Sequence, residues 1–260
     1  MRFAPISNLM GWTLTVVSIP MAVIGLIGFL IDDMSSEYII RAFIIPIVLG
    51  FVTGLLMIWK TRDKFDQEDG VRDREAVTAV ALGWLLVIFF GAMPYWLGGT
   101  FHGPYSYIQG DSSFTQMSLG LLHSWFESMS GFTTTGATVI DSTTSPICAF
   151  VSDCIGSQPK SLLLWRSTTQ WLGGMGVIML SILILGRWIG GGLTLAREEL
   201  TGPSLSRLGP KLQQTAAFLW GVYTVLTIVE FLLLFLVAKI GMFDSINHAL
   251  TTMASGGFST

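Results

Sequence analysis

The sequence predicts an all-α membrane protein: two N-terminal helices, then repeated units of a long helix, a short re-entrant helix with an extended loop, and a second long helix. Three observations carry this expectation. Hydrophobic residues make up 51% of the 260 and charged residues only 12%, against roughly 25% charged in ordinary globular domains. Several charge-poor stretches reach the roughly 20 residues needed to cross a hydrocarbon core. Between them, two short helical patterns, in Ser124–Ile140 and Phe243–Thr260, run directly into glycine, serine and threonine. The net charge of −3 excludes little, because in a membrane the side each basic residue occupies matters more than the sum. No basic patch points to nucleic acid.

Met10–Ile31 holds no charge over 22 positions, enough to span the core at about 1.5 Å per residue. It is too long for a signal-peptide core and no small-residue cleavage pattern follows, so it is read as a retained first crossing. Asp32, Asp33 and Glu37 are expected in a tight hairpin. Tyr38–Trp59 returns, with Pro46 inside it and Arg41 snorkelling at its outer end. Lys60–Glu75 carries Lys60, Arg62, Lys64, Arg72 and Arg74, and the positive-inside bias places it, with the N-terminus, in the cytoplasm.

Ala76–Leu97 then crosses outward, and Gly98–Gln116 is an outer loop. Met117–Gly131 is helical in pattern but too short to cross and return, so it enters from outside, and Thr133–Thr138 climbs back. Asp141–Lys160 forms a second outer loop with Cys148 and Cys154. Their spacing fits no common zinc pattern, and a disulfide and two free thiols stay equally open. Ser161–Leu185 crosses inward to a second basic loop, Gly186–Lys211. Thr215–Ala238 crosses outward, and Phe243–Met253 is a second short helix before Ser255, Gly256, Gly257 and Phe258. The organisation expected is thus 1–60, 76–186, 187–212 and 213–260.

The first short segment has an apolar face at Trp125, Phe126 and Met129 and then only small or hydroxylated residues from Thr133 to Thr138. Lipid cannot hydrogen-bond an extended backbone, so such a segment survives only packed in protein or lining a watery cavity. Carbonyls released from helix bonding can replace the hydration shell of a monovalent cation. Gly136 lacks the Cβ that would resist the dihedrals aiming them inward, and the C-terminal dipole of the preceding helix adds negative potential. Taken alone, the stretch also fits a Ser/Thr-rich outer turn.

Three motifs in order, FESMSGFTTTGAT at Phe126–Thr138, QWLGGMG at Gln170–Gly176 and ASGGFST at Ala254–Thr260, resemble the TrkH family of membrane subunits of bacterial potassium uptake systems, within the Trk/Ktr/HKT superfamily. The resemblance covers essentially the whole chain. It implies potassium translocation across the bacterial inner membrane, with no enzymatic activity and no covalent cofactor. Thr134, Thr135, Gly136, Ser255, Gly256 and Gly257 would be carbonyl donors to potassium, supported by Glu127, Thr133, Ala137 and Phe258. It further implies a cytoplasmic nucleotide-binding TrkA-type regulatory partner and a homodimer of the full-length subunit. The family has four helix–pore-loop–helix repeats after two extra helices. Here the two helices, one repeat and most of a second are found, so the chain reads as truncated.

Setting Gly136 opposite Gly257 aligns the two copies, with Glu127 opposite His248, Phe132 opposite Met253, Thr135 opposite Gly256 and Ala137 opposite Phe258. Glu127 is expected to anchor loop backbone donors, the alternative being a field source for cations. Glu230, inside an apolar crossing, is expected to hydrogen-bond another helix. The small residues Gly173, Gly174 and Gly176 after Gln170 and Trp171 suit close helix packing. His102, His123 and His248 show no ligand spacing. Gly190–Gly192 with Arg197, Glu198 and Glu199 is either a docking surface or a solvated connector, and lacks the Gly-Lys-Ser/Thr of a phosphate loop. Competing readings are a proton-coupled transporter using Glu230, Glu127 or His248 and a non-conducting assembly subunit. A membrane hydrolase is also conceivable, although Gly-x-Ser-x-Gly and HExxH are both absent.

Overall fold

The computed structural model describes residues 2–32, 36–62, 73–105, 113–176 and 208–260, and the regular elements among them are helices, with no strand. In chain order the helices are α1 (Phe3–Ile31), α2 (Ser36–Thr61), α3 (Asp73–Leu97), α4 (Phe114–Phe132), α5 (160–176), α6 (Leu208–Leu232) and α7 (Met242–Met253). Four stretches are long and apolar enough to cross a membrane, Phe3–Ile31, Ser36–Thr61, Arg74–Leu97 and Gln214–Val237. The inner part of the expected crossing Ser161–Leu185 and the basic loop beyond it, through residue 207, lie outside the described residues.

Helix α1 starts at Phe3, seven residues before the charge-free stretch suggested. Pro5 sits in the first turn, where its missing N–H has no helical partner to lose. Asn8 is buried but donates to Thr61 Oγ1 at 3.1 Å, so its polarity does not end the helix. The start of α1 is also tied to α3, because the Arg2 backbone N–H and guanidinium donate to the buried Glu75 carboxylate at 3.0–3.1 Å. Along α1 and α2 the backbones touch at Gly11 and Gly54, where a Cβ on either would lie 2.7–2.8 Å from the other's carbonyl oxygen. Small residues at a membrane helix crossing allow that approach.

Glu37 corrects the expected hairpin. It belongs to the first turn of α2 and pairs with Arg41 one turn on. Arg41 also lies 4.3 Å from the centroid of the Tyr105 ring, so protein groups hold it. Residues Ile40–Ile44 of α2 form a π-helical turn just before Pro46. The reason is local: Pro46 cannot donate to the carbonyl one turn back and its ring collides with it, and one wide turn absorbs both problems.

The short helix α4 runs from Phe114, not Met117. Gln116 Oε1 accepts from the Ser113 backbone N–H at 3.0 Å, half of a Ser-x-x-Gln capping box that fixes the start three residues earlier. The loop after α4 folds back over a 3-10 turn at Pro146–Phe150 and is closed by a Cys148–Cys154 disulfide, which settles the open alternative for these cysteines. The core joins α1, α2, α3, α4 and α5 through Met21, Phe43, Tyr95, Phe132 and Trp165. Trp165 donates to Gly91 O at 3.0 Å and meets Phe132 edge-on, so α5 is bolted to α3 and α4 together. On its other side α5 meets α6, where Trp171 Nε1 donates to Thr227 Oγ1 at 3.0 Å and Tyr223 OH to Trp171 O at 3.2 Å.

Candidate functional site

Both short helices end in the same way. At the end of α4 the Thr134 N–H donates to Gly131 O at 2.9 Å and the Thr135 N–H to Ser130 O at 3.0 Å. At the end of α7, the Ser255 N–H donates to Thr252 O at 2.8 Å and the Gly256 N–H to Thr251 O at 2.9 Å. These are paired Schellman bonds, which normally put glycine in the left-handed position. Here Thr134 and Ser255 occupy it, with φ of 56° and 52°. Left-handed backbone costs a non-glycine residue about 1–2 kcal/mol, most when β-branched. The caps satisfy carbonyls that would otherwise be orphaned, and they turn the chain sharply into an extended run.

The two extended runs meet at Gly136 and Gly257. Gly136 is left-handed too, at φ 75°, and a Cβ on it would lie 2.4 Å from both Cα and N of Gly257. The sequence expectation gave Gly136 a special conformation and Gly257 its counterpart. The two glycines meet, but only Gly136 of them has positive φ. Thr135, Ala137, Thr138, Ser255 and Gly257 are exposed along this junction. Thr133 Oγ1 donates to Met129 O and shares a 2.8 Å contact with Thr135 Oγ1. The Ala137 carbonyl is taken by the Ser130 hydroxyl at 2.6 Å.

Behind the first run sits Glu127, fully buried. Its carboxylate accepts from Thr138 Oγ1 at 2.9 and 3.1 Å and from the Val139 N–H at 3.1 Å, the anchoring arrangement the sequence suggested. The remaining partner was not anticipated. Arg166 on α5, itself 2% exposed, donates Nε to Glu127 Oε1 at 2.9 Å and closes an ion pair through Nη2 at 2.8 Å. Burying either charge alone would be strongly unfavourable, and pairing with full hydrogen bonding is what makes it tolerable. A lone arginine in an otherwise apolar crossing was the available signal.

Behind the second run sits Gln170, one turn after Arg166 and fully buried. Its Oε1 accepts from the Phe258 N–H at 3.3 Å, and its amide lies where a Cβ on Gly256 would fall, 2.3 Å from Oε1. The next turn of α5 brings Gly173 and Gly174. A Cβ on Gly173 would lie 2.2 Å from Phe132 O, and one on Gly174 would lie 3.1 Å from Ala254 Cα. Helix α5 is therefore wedged between the C-terminal ends of α4 and α7, the close packing expected of its glycines.

Other candidates stand apart. His248 is half-buried and makes no side-chain bond to the second run among the described residues. Asp244 makes one instead, accepting from Thr260 Oγ1 at 2.8 Å. Glu230 faces a small apolar cleft with Leu226, Val229, Leu233, Leu234 and Met253. The helix-to-helix hydrogen bond expected of it has no counterpart among the described residues. No cluster of metal-ligating side chains occurs among the described residues. In the loop leaving the first run, Asp141 accepts from the Thr143 hydroxyl at 2.6 Å and from the N–H groups of Thr143 and Thr144 at 2.7 and 3.0 Å. These bonds, those of Thr143 foremost, hold its carboxyl below the usual range. The turn thus keeps this stability above the ordinary carboxylate pKa and loses it as pH falls through the lowered one.

A family model described as TrkH, cation transport protein, matches residues 42–260. The chain belongs to the TrkH family. Among curated relatives, the Trk system potassium uptake protein TrkH of Halomonas elongata is 33% identical over 232 residues, covering 89% of this chain and 42% of the relative. TrkH of Escherichia coli K12 is 30% identical over 261 residues, covering all of this chain and 47% of the relative. The crystal structure of the potassium transporter TrkH from Vibrio parahaemolyticus superposes with a TM-score of 0.71 at 26% identity, over 100% of this chain and 44% of that one. The chain thus spans a little under half the length of these TrkH relatives. The all-helical membrane fold is that of the family, which is one of cation transporters and not of enzymes.

Proposed function

We propose that this chain forms part of the potassium-translocating membrane subunit of a Trk-type uptake system, with Thr134, Thr135, Gly136, Ser255, Gly256 and Gly257 as carbonyl donors to a dehydrated potassium ion. One observation carries the reading. Two short helices end in the same left-handed cap, and the runs that follow meet backbone to backbone at Gly136 and Gly257. In this reading the caps are equivalent positions of a repeated helix–pore-loop–helix unit, 76–186 and 213–260, joined by the cytoplasmic segment 187–212 and preceded by the two-helix extension 1–60. Carbonyls replace the ion's hydration shell, and both short helices aim their negative ends at it.

Potassium as the ion is supported by the relatives, named potassium uptake proteins. Two filter runs do not encircle an ion, and further runs of the same kind complete the ring. The basic residues of Lys60–Glu75 support a reading in which that loop and the N-terminus face the cytoplasm from the inner membrane. That face receives a nucleotide-binding TrkA-type regulatory subunit, and the full-length subunit pairs as a homodimer. Transport is passive. Glu127 is engaged by Thr138, Val139 and Arg166, a bracing arrangement that supports this reading.

The test is potassium flux into proteoliposomes by the chain expressed at the length of its relatives. Flux should follow the potassium gradient alone, and Glu230→Gln should leave it unchanged within about twofold, as for a substitution outside the conducting machinery. Flux driven by an imposed pH difference, and lost in Glu230→Gln, would replace the channel reading with proton-coupled transport.

A further inference from the structure

We infer that Arg166 is a positioning residue that locks the two filter runs to one another, so that they hold one geometry as a unit. The inference rests on the filter reading above and adds to it a residue that does not itself face the ion. Three features of one guanidinium are in use. Its Nε and Nη2 edge pairs with Glu127, which holds Thr138 and Val139 of the first run. Its Nη1 donates to Ser259 O of the second run at 3.4 Å. Its flat face covers the Phe258 ring, with Cζ 3.9 Å from the ring centroid. Gln170, on the same stripe of α5, accepts from the Phe258 N–H and reinforces the hold on the second run.

The chemistry of the side chain makes this arrangement specific. Guanidinium is planar, permanently charged and presents donors in fixed directions, so one group can serve a carboxylate, a carbonyl and a ring at once. A lysine ammonium is a point charge and can neutralise Glu127 without serving the other two. Charge compensation and geometric bracing therefore separate in a single substitution. If Arg166 only neutralised Glu127, lysine would suffice. As a brace between runs it requires arginine.

The experiment is the potassium-to-sodium permeability ratio in proteoliposomes, for the chain at the length of its relatives. Arg166→Lys is compared with Phe258→Leu, with the double variant and with Gly136→Ser. Folded yield is read by size-exclusion chromatography. Arg166→Lys should fold and lower the ratio by about tenfold, the scale of a lost charge-assisted hydrogen bond. Phe258→Leu should lower it similarly, and the double variant should lose little more, because both act through one brace. A folded Arg166→Lys protein with the parental ratio overturns the inference. If Arg166→Lys does not fold, Phe258→Leu, which leaves the ion pair intact, decides: a lowered ratio supports the brace and an unchanged ratio overturns it. If Gly136→Ser also leaves the ratio unchanged, the filter assignment itself is overturned, and the brace with it.

Discussion

Serine at Gly136 is expected to abolish most of the preference for potassium over sodium, while serine at Gly257 is expected to cost far less. The asymmetry comes from the backbone. Gly136 is left-handed at φ 75°, and any Cβ there lies 2.4 Å from backbone atoms of Gly257 that cannot swing aside. Gly257 lacks positive φ, and a Cβ on it would come no nearer than 3.3 Å to Gly136. A strain of about 1–3 kcal/mol at Gly136 is relieved only by moving the runs apart, which alters the spacing of every carbonyl they share. A loss of about tenfold or more in the potassium-to-sodium flux ratio corresponds to that energy. Equal effects at the two glycines would contradict the packing described.

Glu127→Ala is expected to be the most destabilising single change at this site. It leaves the Arg166 charge buried with no carboxylate, and the Thr138 hydroxyl and Val139 N–H with no acceptor. Breaking a buried pair from one side costs about 3–5 kcal/mol, a large share of the about 5–15 kcal/mol that keeps a typical domain folded. Glu127→Gln keeps the shape and an acceptor and should cost less. Glu127→Ala combined with Arg166→Met should recover part of the loss, because the stranded charge is gone. Melting of the purified protein in detergent reads all three. An alanine variant that melts with the parent would mean the pair contributes nothing to holding the first run.

Much of this architecture was legible in the sequence because membrane helices are specified by length and apolarity alone. Met10–Ile31 and Ala76–Leu97 each fall inside an observed helix, and Thr215–Ala238 runs one residue past the π-helical turn Leu233–Val237 that continues α6. Boundaries were less legible because they depend on single polar partners. Asn8 continues α1 only because Thr61 is beside it, and α4 starts early because Gln116 reaches back to Ser113. At the site, composition located both glycine-containing runs and the special conformation of Gly136, but not the left-handed caps that precede them. Thr134 and Ser255 carry left-handed backbone that no propensity assigns to threonine or serine, since the cap bonds of the helix ends impose it. Arg166 stood in plain view in an apolar crossing. Its meaning depended on Glu127, 39 positions earlier, and on Phe258 and Ser259 far later, a juxtaposition that exists only in the fold.

The most direct measurement is anomalous scattering from rubidium, a heavy stand-in for potassium, in crystals of the chain at the length of its relatives. The account predicts a rubidium peak at the junction of the runs, within coordination distance of carbonyl oxygens from both Thr134–Gly136 and Ser255–Gly257. A rubidium site lined by Glu230 or His248, with none at that junction, would contradict it.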